Sequence, residues 1–493
     1  MSDFLLYSGT LITMNPEREV IEDGAVAIKG SRIVDIGDSG ELRQKHAGAE
    51  QIDCKGKLIL PGFIDAHSHA GHCMMKAIAY DTARSYWMPI MTDAYHHNTT
   101  DEFWYLEGKL AALERLKFGV TCGVSVISNA QRCDTPEIPL NHAKGYAEVG
   151  VREVLAIGPS NPPFPRSFSR VAGNDKLRAE YTFDQLMEVA DETIRLANHS
   201  CDDLIRAFVA PFVMVTSINP SNPTPPDMCS KLSAHDKHMA RRVREIARKH
   251  NTRIHTEAFG GMIYLAAQDE NALLGPDVHV QHCTGISFDE AMILARTQTN
   301  VTTSPNPEQF LYNRCPIPEL LELGVNVAIT TDGTSPAVSF DMLTAARKTQ
   351  LVQQGLTRDR HLMPLGKLLE MITIGAAKAI GWEDELGSLE VGKKADVITV
   401  NMMQPHITPA FMPVHKLMLY ACGNDVADVI INGRLLMRDR VVESVIEADV
   451  IRQASEESDR TIERAGLRKY MERCDTFWSG TRMYNQRNRF EGD

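Results

Sequence analysis

The stretch Ile59-Leu60-Pro61-Gly62-Phe63-Ile64-Asp65-Ala66-His67-Ser68-His69 organises the reading of the whole chain. Its apolar run, Ile59 and Leu60 and then Phe63 and Ile64 beyond the Pro-Gly break, predicts a buried strand. The run ends on two histidines spaced i, i+2. Side chains in a strand alternate with period two, so His67 and His69 emerge on one face. Two imidazoles side by side at a strand end can hold one divalent metal through nitrogen. With 17 histidines in the chain, such a pair also arises in ordinary polar packing. The strands that follow decide between the two readings.

Toward the N-terminus, residues 5–60 read as β structure. Leu5 to Met14, Val20 to Ile28, Arg32 to Ile36 and Lys57 to Leu60 are short strand-like runs. Turns at Pro16-Glu17, Lys29-Gly30-Ser31 and Lys55-Gly56 separate them. This is too little chain for an independent core. A second β-rich stretch returns at Gly387 to Val400 and Val426 to Met437. The two are expected to form one small β-sandwich domain built from both chain ends. The expected boundaries are 1–60 and 386–443 for that domain, 61–385 for a central domain, and 444–493 for a helical extension. In that extension Val450, Ile451, Ala454, Ile462, Leu467 and Met471 are the expected core contacts.

Toward the C-terminus, strand and helix patterns alternate. Strands are expected at 62–69, 119–126, 151–158, 205–215, 252–257, 278–283, 300–304 and 325–332. Amphipathic helices include Glu102–Lys117, Phe183–Asn198, His235–Lys249, Phe288–Arg296 and Pro318–Leu323. Eight βα units in series imply a parallel sheet closed into a (β/α)8 TIM barrel, an α/β fold whose C-terminal strand ends carry the active site.

Those strand ends supply further ligand-type residues. The fifth ends with His255 and Glu257 on one face, the sixth with His282 and the eighth with Asp332. By strand alternation His279 is expected on the face opposite His282. Barrel closure would bring these ends together with His67 and His69. Three imidazoles and a carboxylate with one position open make a catalytic rather than a structural divalent site. The loop after the first strand (Cys73, Met74, Met75, Ile78, Tyr80, Trp87, Met88) is apolar enough to cover a flat substrate. Proline-rich loops at Pro159–Pro165 and Pro220–Pro226 are expected over the same mouth. His72, His96 and His97 receive no role.

Composition bounds the rest. Hydrophobic content of 43% and charged content of 24% over 493 residues are globular values. A formal charge of −12 argues against nucleic acid or an anionic membrane as partner. The N-terminus carries no signal-peptide pattern, and no apolar run reaches the ~18 residues of a membrane helix. Ten cysteines without a CxxC pair fit reduced thiols. A cytoplasmic protein acting on a small molecule is expected.

With these residues assembled, PGFIDAHSH at 61–69, the His282 strand, TTDG at 330–333 and GSLEVGKKADVITV at 387–400 together resemble the amidohydrolase superfamily. The branch they resemble holds s-triazine chlorohydrolases and aminohydrolases and the cytosine/purine-type deaminases. The resemblance runs from the N-terminal β stretch to VADVIINGRLLMRD at 426–439. It implies His67, His69, His255 and Asp332 as metal ligands and His282 as the polarising group. It implies one divalent ion per chain, zinc first, with iron, manganese or cobalt as alternatives. Binuclear relatives carry a lysine on the fourth strand, and Ile205 to Val215 has none. A homo-oligomer is implied at the same level.

One feature departs from the family pattern. Related deaminases place a proton-shuttling glutamate three residues after the fifth-strand histidine, whereas here Glu257 follows His255 by two and Gly260 stands further on. Glu257 is therefore open to three roles: acid/base, ligand, or a partner behind the ligands. Acid/base is the favoured one, beside Asp332 and His282 as the other catalytic groups. Deamination or amine release from a nitrogen heterocycle is the leading reaction. Hydrolysis of an acyclic amide, carbamate or urea is the alternative, and a metal-free scaffold the non-enzymatic one.

Overall fold

The computed structural model describes residues 3–81, 84–173, 175–218, 231–305, 314–336, 338–474 and 477–480. The chain opens with β1 (Phe4–Ile12), β2 (Val20–Lys29), β3 (Arg32–Asp38), β4 (Glu50–Asp53) and β5 (Lys57–Pro61). β1 runs antiparallel to β2 and parallel to β4 and β5. Alternation sends Leu6, Val26 and Ile28 to one face with Ile52 and Ile59, and Leu5, Ala25 and Ala27 to the other with Leu42. Both faces are buried, so a one-residue slip would displace every one of these side chains.

The barrel follows: β6 (Phe63–Asp65), β7 (His69–Ala70), β8 (Val120–Ile127), β9 (Arg152–Ile157), a hairpin of β10 (Arg166–Ala172) and β11 (Asp175–Tyr181), then β12 (Ile205–Val209), β13 (Ile254–Phe259), β14 (Val278–Thr284), β15 (Asn300–Thr303) and β16 (Val327–Ile329). The barrel order is β6-β8-β9-β12-β13-β14-β15-β16, parallel throughout, with β7 paired to β8. The seam between first and eighth strands is bridged by the Asp332 N–H, which donates to the His67 carbonyl at 3.2 Å. Asp65 reinforces it. Its carboxylate accepts the Thr331 N–H (3.0 Å) and hydroxyl (2.6 Å), and the fully buried Arg115 donates to it at 2.8 Å. An expected α/β barrel is thus observed, with all eight strands where periodicity placed them.

Three strands are shorter than the pattern implied, among them the eighth, which keeps only Val327–Ile329. The first breaks into β6 and β7, with Ser68 O accepting from the Val126 N–H at 2.8 Å in between. The fourth stops at Val209, because Pro211 has no N–H for a ladder. The hairpin β10–β11 was not anticipated. Its second strand is exposed and carries mixed charge, so no apolar alternation announces it.

After the barrel, β17 (Val397–Asn401), β18 (Val426–Ile431), β19 (Arg434–Arg438) and β20 (Val441–Val442) return to the first sheet. β17 pairs antiparallel with β5, giving one nine-stranded sheet from both chain ends, ordered β20-β19-β18-β17-β5-β1-β2-β3 with β4 on β1. A buried ion pair between Arg152 of β9 and Asp396 (2.8 Å) ties that sheet to the barrel floor. The helix Glu447–Arg464 buries Val450, Ala454 and Ile462, and Leu467 follows them inward. Ile451 and Met471 are instead about half exposed, at 48% each. Ile451 is one residue, about 100° of helix, from Val450, and Met471 lies past the helix end.

Candidate active site

Five side chains meet at the C-terminal ends of the barrel strands: His67 and His69 from the first, Glu257 from β13, His282 from β14, and Asp332 beyond β16. Asp332 Oδ1 lies 3.6 Å from His67 Nε2 and 3.4 Å from His69 Nε2. Glu257 Oε1 lies 3.7 Å from His69 Nε2, and its Oε2 lies 3.6 Å from His282 Nε2. The ligand-type atoms fall into two overlapping groups, His67–His69–Glu257 and His67–His282–Asp332, each within 4.8 Å. All are buried except Asp332, whose side chain is 16% exposed.

The outer atoms of these rings are held by the barrel wall. His69 Nδ1 lies 2.9 Å from the Ser128 carbonyl, which can only accept. The ring proton therefore sits on Nδ1, and the Nε2 lone pair faces the cluster. His67 Nδ1 lies 2.9 Å from His255 Nε2, leaving its own Nε2 toward Asp332. The Gly333 N–H donates to Asp332 Oδ1 at 2.6 Å, and Ser304 Oγ approaches Oδ2 at 3.4 Å. Sequence reasoning missed Ser128, because a backbone carbonyl carries no residue signature. It also missed Asp65, although a carboxylate inside a buried strand calls for a partner.

Electrostatics follow from burial and from the paired carboxylates. Burial acts to raise the Asp332 carboxyl, yet the His67 and His69 imidazoles beside it outweigh burial and hold the group well below the usual range. For His69 burial pulls downward, and Asp332 and then Glu257 more than offset it, leaving the imidazole raised. Burial lowers His67, and it lowers His255 well below its ordinary value with help from His279. Burial, then Arg253, push His279 down to about 3.

Strand alternation misplaces one residue. His279 stacks on His255 at 4.4 Å inside the barrel, and His282, three residues on, also points inward. The expected opposition fails because His282 (φ 75°) and Cys283 (φ 50°) adopt left-handed backbone, which breaks the period of two and turns the imidazole back. Asp332 shares that conformation, with φ 65°. Non-glycine residues held there cost of order 1–3 kcal/mol and cluster at functional sites.

His255 and Glu257 share a face, as their spacing required, but they sit at different depths. His255 lies behind His67, between that ring and His279. Glu257 stands at the level of His69 and His282. At Gly260 a side chain has no room, since a Cβ there would overlap the Gly285 carbonyl. No carboxylate can occupy position 260 without moving that backbone.

In the loop after the first strand, Cys73, Met74, Met75, Ile78 and Trp87 are buried, Met88 is partly buried and Tyr80 is 43% exposed. His72 stacks between His69 and Tyr95. His96 packs on Phe168, and His97 Nδ1 lies 2.9 Å from Ser169 Oγ. Of the proline loops, Phe164 packs on Phe183 and His235. Pro220–Pro226 lies outside the described residues.

Donor separations of 3.4–3.7 Å exceed ordinary hydrogen bonds. Those from Asp332 to His67 and His69, 3.6 and 3.4 Å, match donors sharing one ion: bonds of about 2.0–2.2 Å in a tetrahedral shell put ligand atoms about 3.3–3.6 Å apart. His67 Nε2 is buried without a hydrogen-bond partner among the described residues, as a ligand nitrogen would be. The residues fit a divalent ion.

Comparison with known proteins agrees with the geometry. Residues 58–436 match the model of the Amidohydrolase family, and residues 24–49 match an imidazolonepropionase-like composite domain of bacteria. A 5-methylthioadenosine/S-adenosylhomocysteine deaminase of Syntrophobacter fumaroxidans is 27% identical over 440 residues, covering 89% of this chain and 94% of the relative. An adenosine deaminase from Xanthomonas campestris, solved with bound zinc, superposes with a TM-score of 0.78 at 23% identity, covering 94% of this chain and 99% of its own. The atrazine chlorohydrolase of Arthrobacter aurescens TC1, complexed with zinc, superposes at 0.76 and 17% identity, covering 92% and 100%. The match over most of the chain, on a barrel whose strand ends gather histidines and carboxylates, makes this protein a member of the amidohydrolase family, hydrolases of carbon–nitrogen bonds.

Proposed function

We propose that the chain is a mononuclear metal-dependent hydrolase that releases ammonia or an amine from a nitrogen heterocycle. The observation that carries this is the set of four donors, His67, His69, Glu257 and Asp332, linked by contacts of 3.4–3.7 Å. In this reading they hold the ion, Glu257 takes the fifth-strand ligand position, and His255 backs His67. A single ion is proposed because β12 and its extension carry no lysine. Zinc is the first choice, with iron, manganese and cobalt also suited to imidazole and carboxylate. Such an ion supplies Lewis-acid activation of water at neutral pH.

The chain's own residues supply the rest. Asp332, kept ionised by His67 and His69, accepts the proton of the attacking water and passes it to the leaving amine. His282, beside Glu257 Oε2, faces the substrate side and steadies charge developing there. The buried Met74, Met75 and Trp87 exclude bulk water. Relatives named as deaminases of adenine-type compounds support a heterocyclic amine as substrate.

A second reading is favoured by one observation. Because position 260 admits no side chain, the deaminase-type shuttle is absent there, and an acyclic amide, carbamate or urea needs none. Assaying ammonium and alkylamine release from aminopurines, aminotriazines and acyclic amides, with zinc-reconstituted protein, separates the two. Turnover confined to acyclic substrates would overturn the heterocycle reading. We further infer a cytoplasmic homo-oligomer. Among the described residues no helix is long and apolar enough to cross a membrane, and Phe411, Met412, Leu419 and Tyr420 leave an apolar row exposed along the helix Pro413–Tyr420 and its entry.

A further inference from the structure

We propose that His72 is a positioning residue that fixes the His69 ring and the Asp332 strand end, and thereby sets the affinity of the site for its ion. This rests on the metal reading above. His72 stacks on His69 with centroids 5.2 Å apart and planes within 16°, and on its other side Tyr95 continues the stack at 5.7 Å and 11°. Trp87 closes the edge at 5.8 Å. His72, Tyr95 and Trp87 are 2%, 0% and 5% exposed, so the stack has no solvent into which to relax.

The second contact concerns Asp332. A Cβ built on Gly333 would overlap Nδ1 and Cε1 of the His72 ring. The imidazole therefore lies directly against the Gly333 backbone, whose N–H donates to Asp332 Oδ1. One ring thus bears on two segments that carry proposed ligands. The Ser128 carbonyl anchors His69 Nδ1, but a single hydrogen bond leaves the ring free to tilt about it. The His72 face removes that freedom. Gly71, at φ 91°, makes the turn that brings His72 back over His69, and any Cβ there would meet Tyr95.

The test is chelator competition for zinc, with the visible absorption of the cobalt-substituted protein as a second readout, on the native chain and on His72→Ala, His72→Phe, Gly333→Ala and the double variant His72→Ala/Gly333→Ala. His72→Ala is expected to raise the metal Kd about 10–100-fold and to shift the cobalt bands. His72→Phe, which keeps a flat ring in the stack, is expected to recover most of the affinity. Gly333→Ala should weaken binding alone, yet add nothing in the His72→Ala background, where the ring it displaces is gone. Unchanged affinity in His72→Ala, or additive losses in the double variant, would overturn the proposal. If His72→Ala gives no folded protein, unchanged affinity in Gly333→Ala overturns it equally. A native chain that takes up no metal would instead bring down the metal reading, and this inference with it.

Discussion

His255 Nε2 stands 2.9 Å from His67 Nδ1, on the side of that ring turned away from Asp332 and Glu257. With His67 Nε2 turned toward Asp332, this contact gives the ring proton a place on Nδ1, from which it donates to His255 Nε2. With Nδ1 engaged, Nε2 is the atom left to face the cluster.

Replacing His255 therefore tests its depth in the barrel. His255→Leu removes the partner but no proposed ligand, so the metal Kd should rise about 10–100-fold while saturating metal still fills the site. His255→Gln, which keeps an acceptor, should retain most of the affinity. Complete loss of binding in both, measured by elemental analysis after dialysis, would make His255 a ligand and displace Glu257 from that role.

Asp332→Asn keeps the size of the side chain and removes its charge. Proton transfer by a positioned side chain contributes about 10²–10⁴-fold, so kcat should fall by that order in a folded protein. Normal kcat would assign the proton to another group. Glu257→Gln, prepared in parallel, should lose metal as well as turnover.

The buried His142 predicts a pH dependence of stability. It lies between Glu107 (2.6 Å) and Glu153 (2.7 Å), all three fully buried. Burial acts to lower its pKa, but Glu153 and Glu107 outweigh it and push it up to about 10, against 6.5 when unfolded. The protonated form is the one the fold favours. Its contribution is complete below pH 6.5, declines as pH rises, and is gone above about 10, at up to about 1.4 kcal/mol per pH unit. Thermal unfolding from pH 6 to 10 should show this decline, and His142→Gln should flatten it. A decline equally steep in the variant would refute the assignment.

Gly260→Glu asks whether the familiar deaminase spacing can be restored. The new side chain would drive into the Gly285 carbonyl. We expect loss of stability of about 1–3 kcal/mol, as for overpacking, and no gain in ammonia release. A stable, faster variant would show that the loop yields.

Arg115→Leu would leave the Asp65 carboxylate buried without its cation. Breaking such a pair costs about 3–5 kcal/mol. Because Asp65 also holds Thr331, next to Asp332, metal affinity should fall alongside the unfolding free energy.

The sequence by itself determined the eight barrel strands, the helices between them, and the strand ends where His67, His69, His282 and Asp332 gather. These rest on local periodicity and on turn residues, which the chain carries whatever its surroundings. It also showed His255 and Glu257 on one face. Which of the two reaches the centre was decided only by tertiary structure. Residues i and i+2 on a strand lie about 6.6 Å apart along its axis, a full layer of barrel filling. Depth depends on how β13 is staggered against β6 and β14, which no single strand records. That His279 shares the inward face with His282 escaped for a related reason: alternation assumes extended backbone, and φ 75° at His282 is held in place by its neighbours, not announced by its sequence.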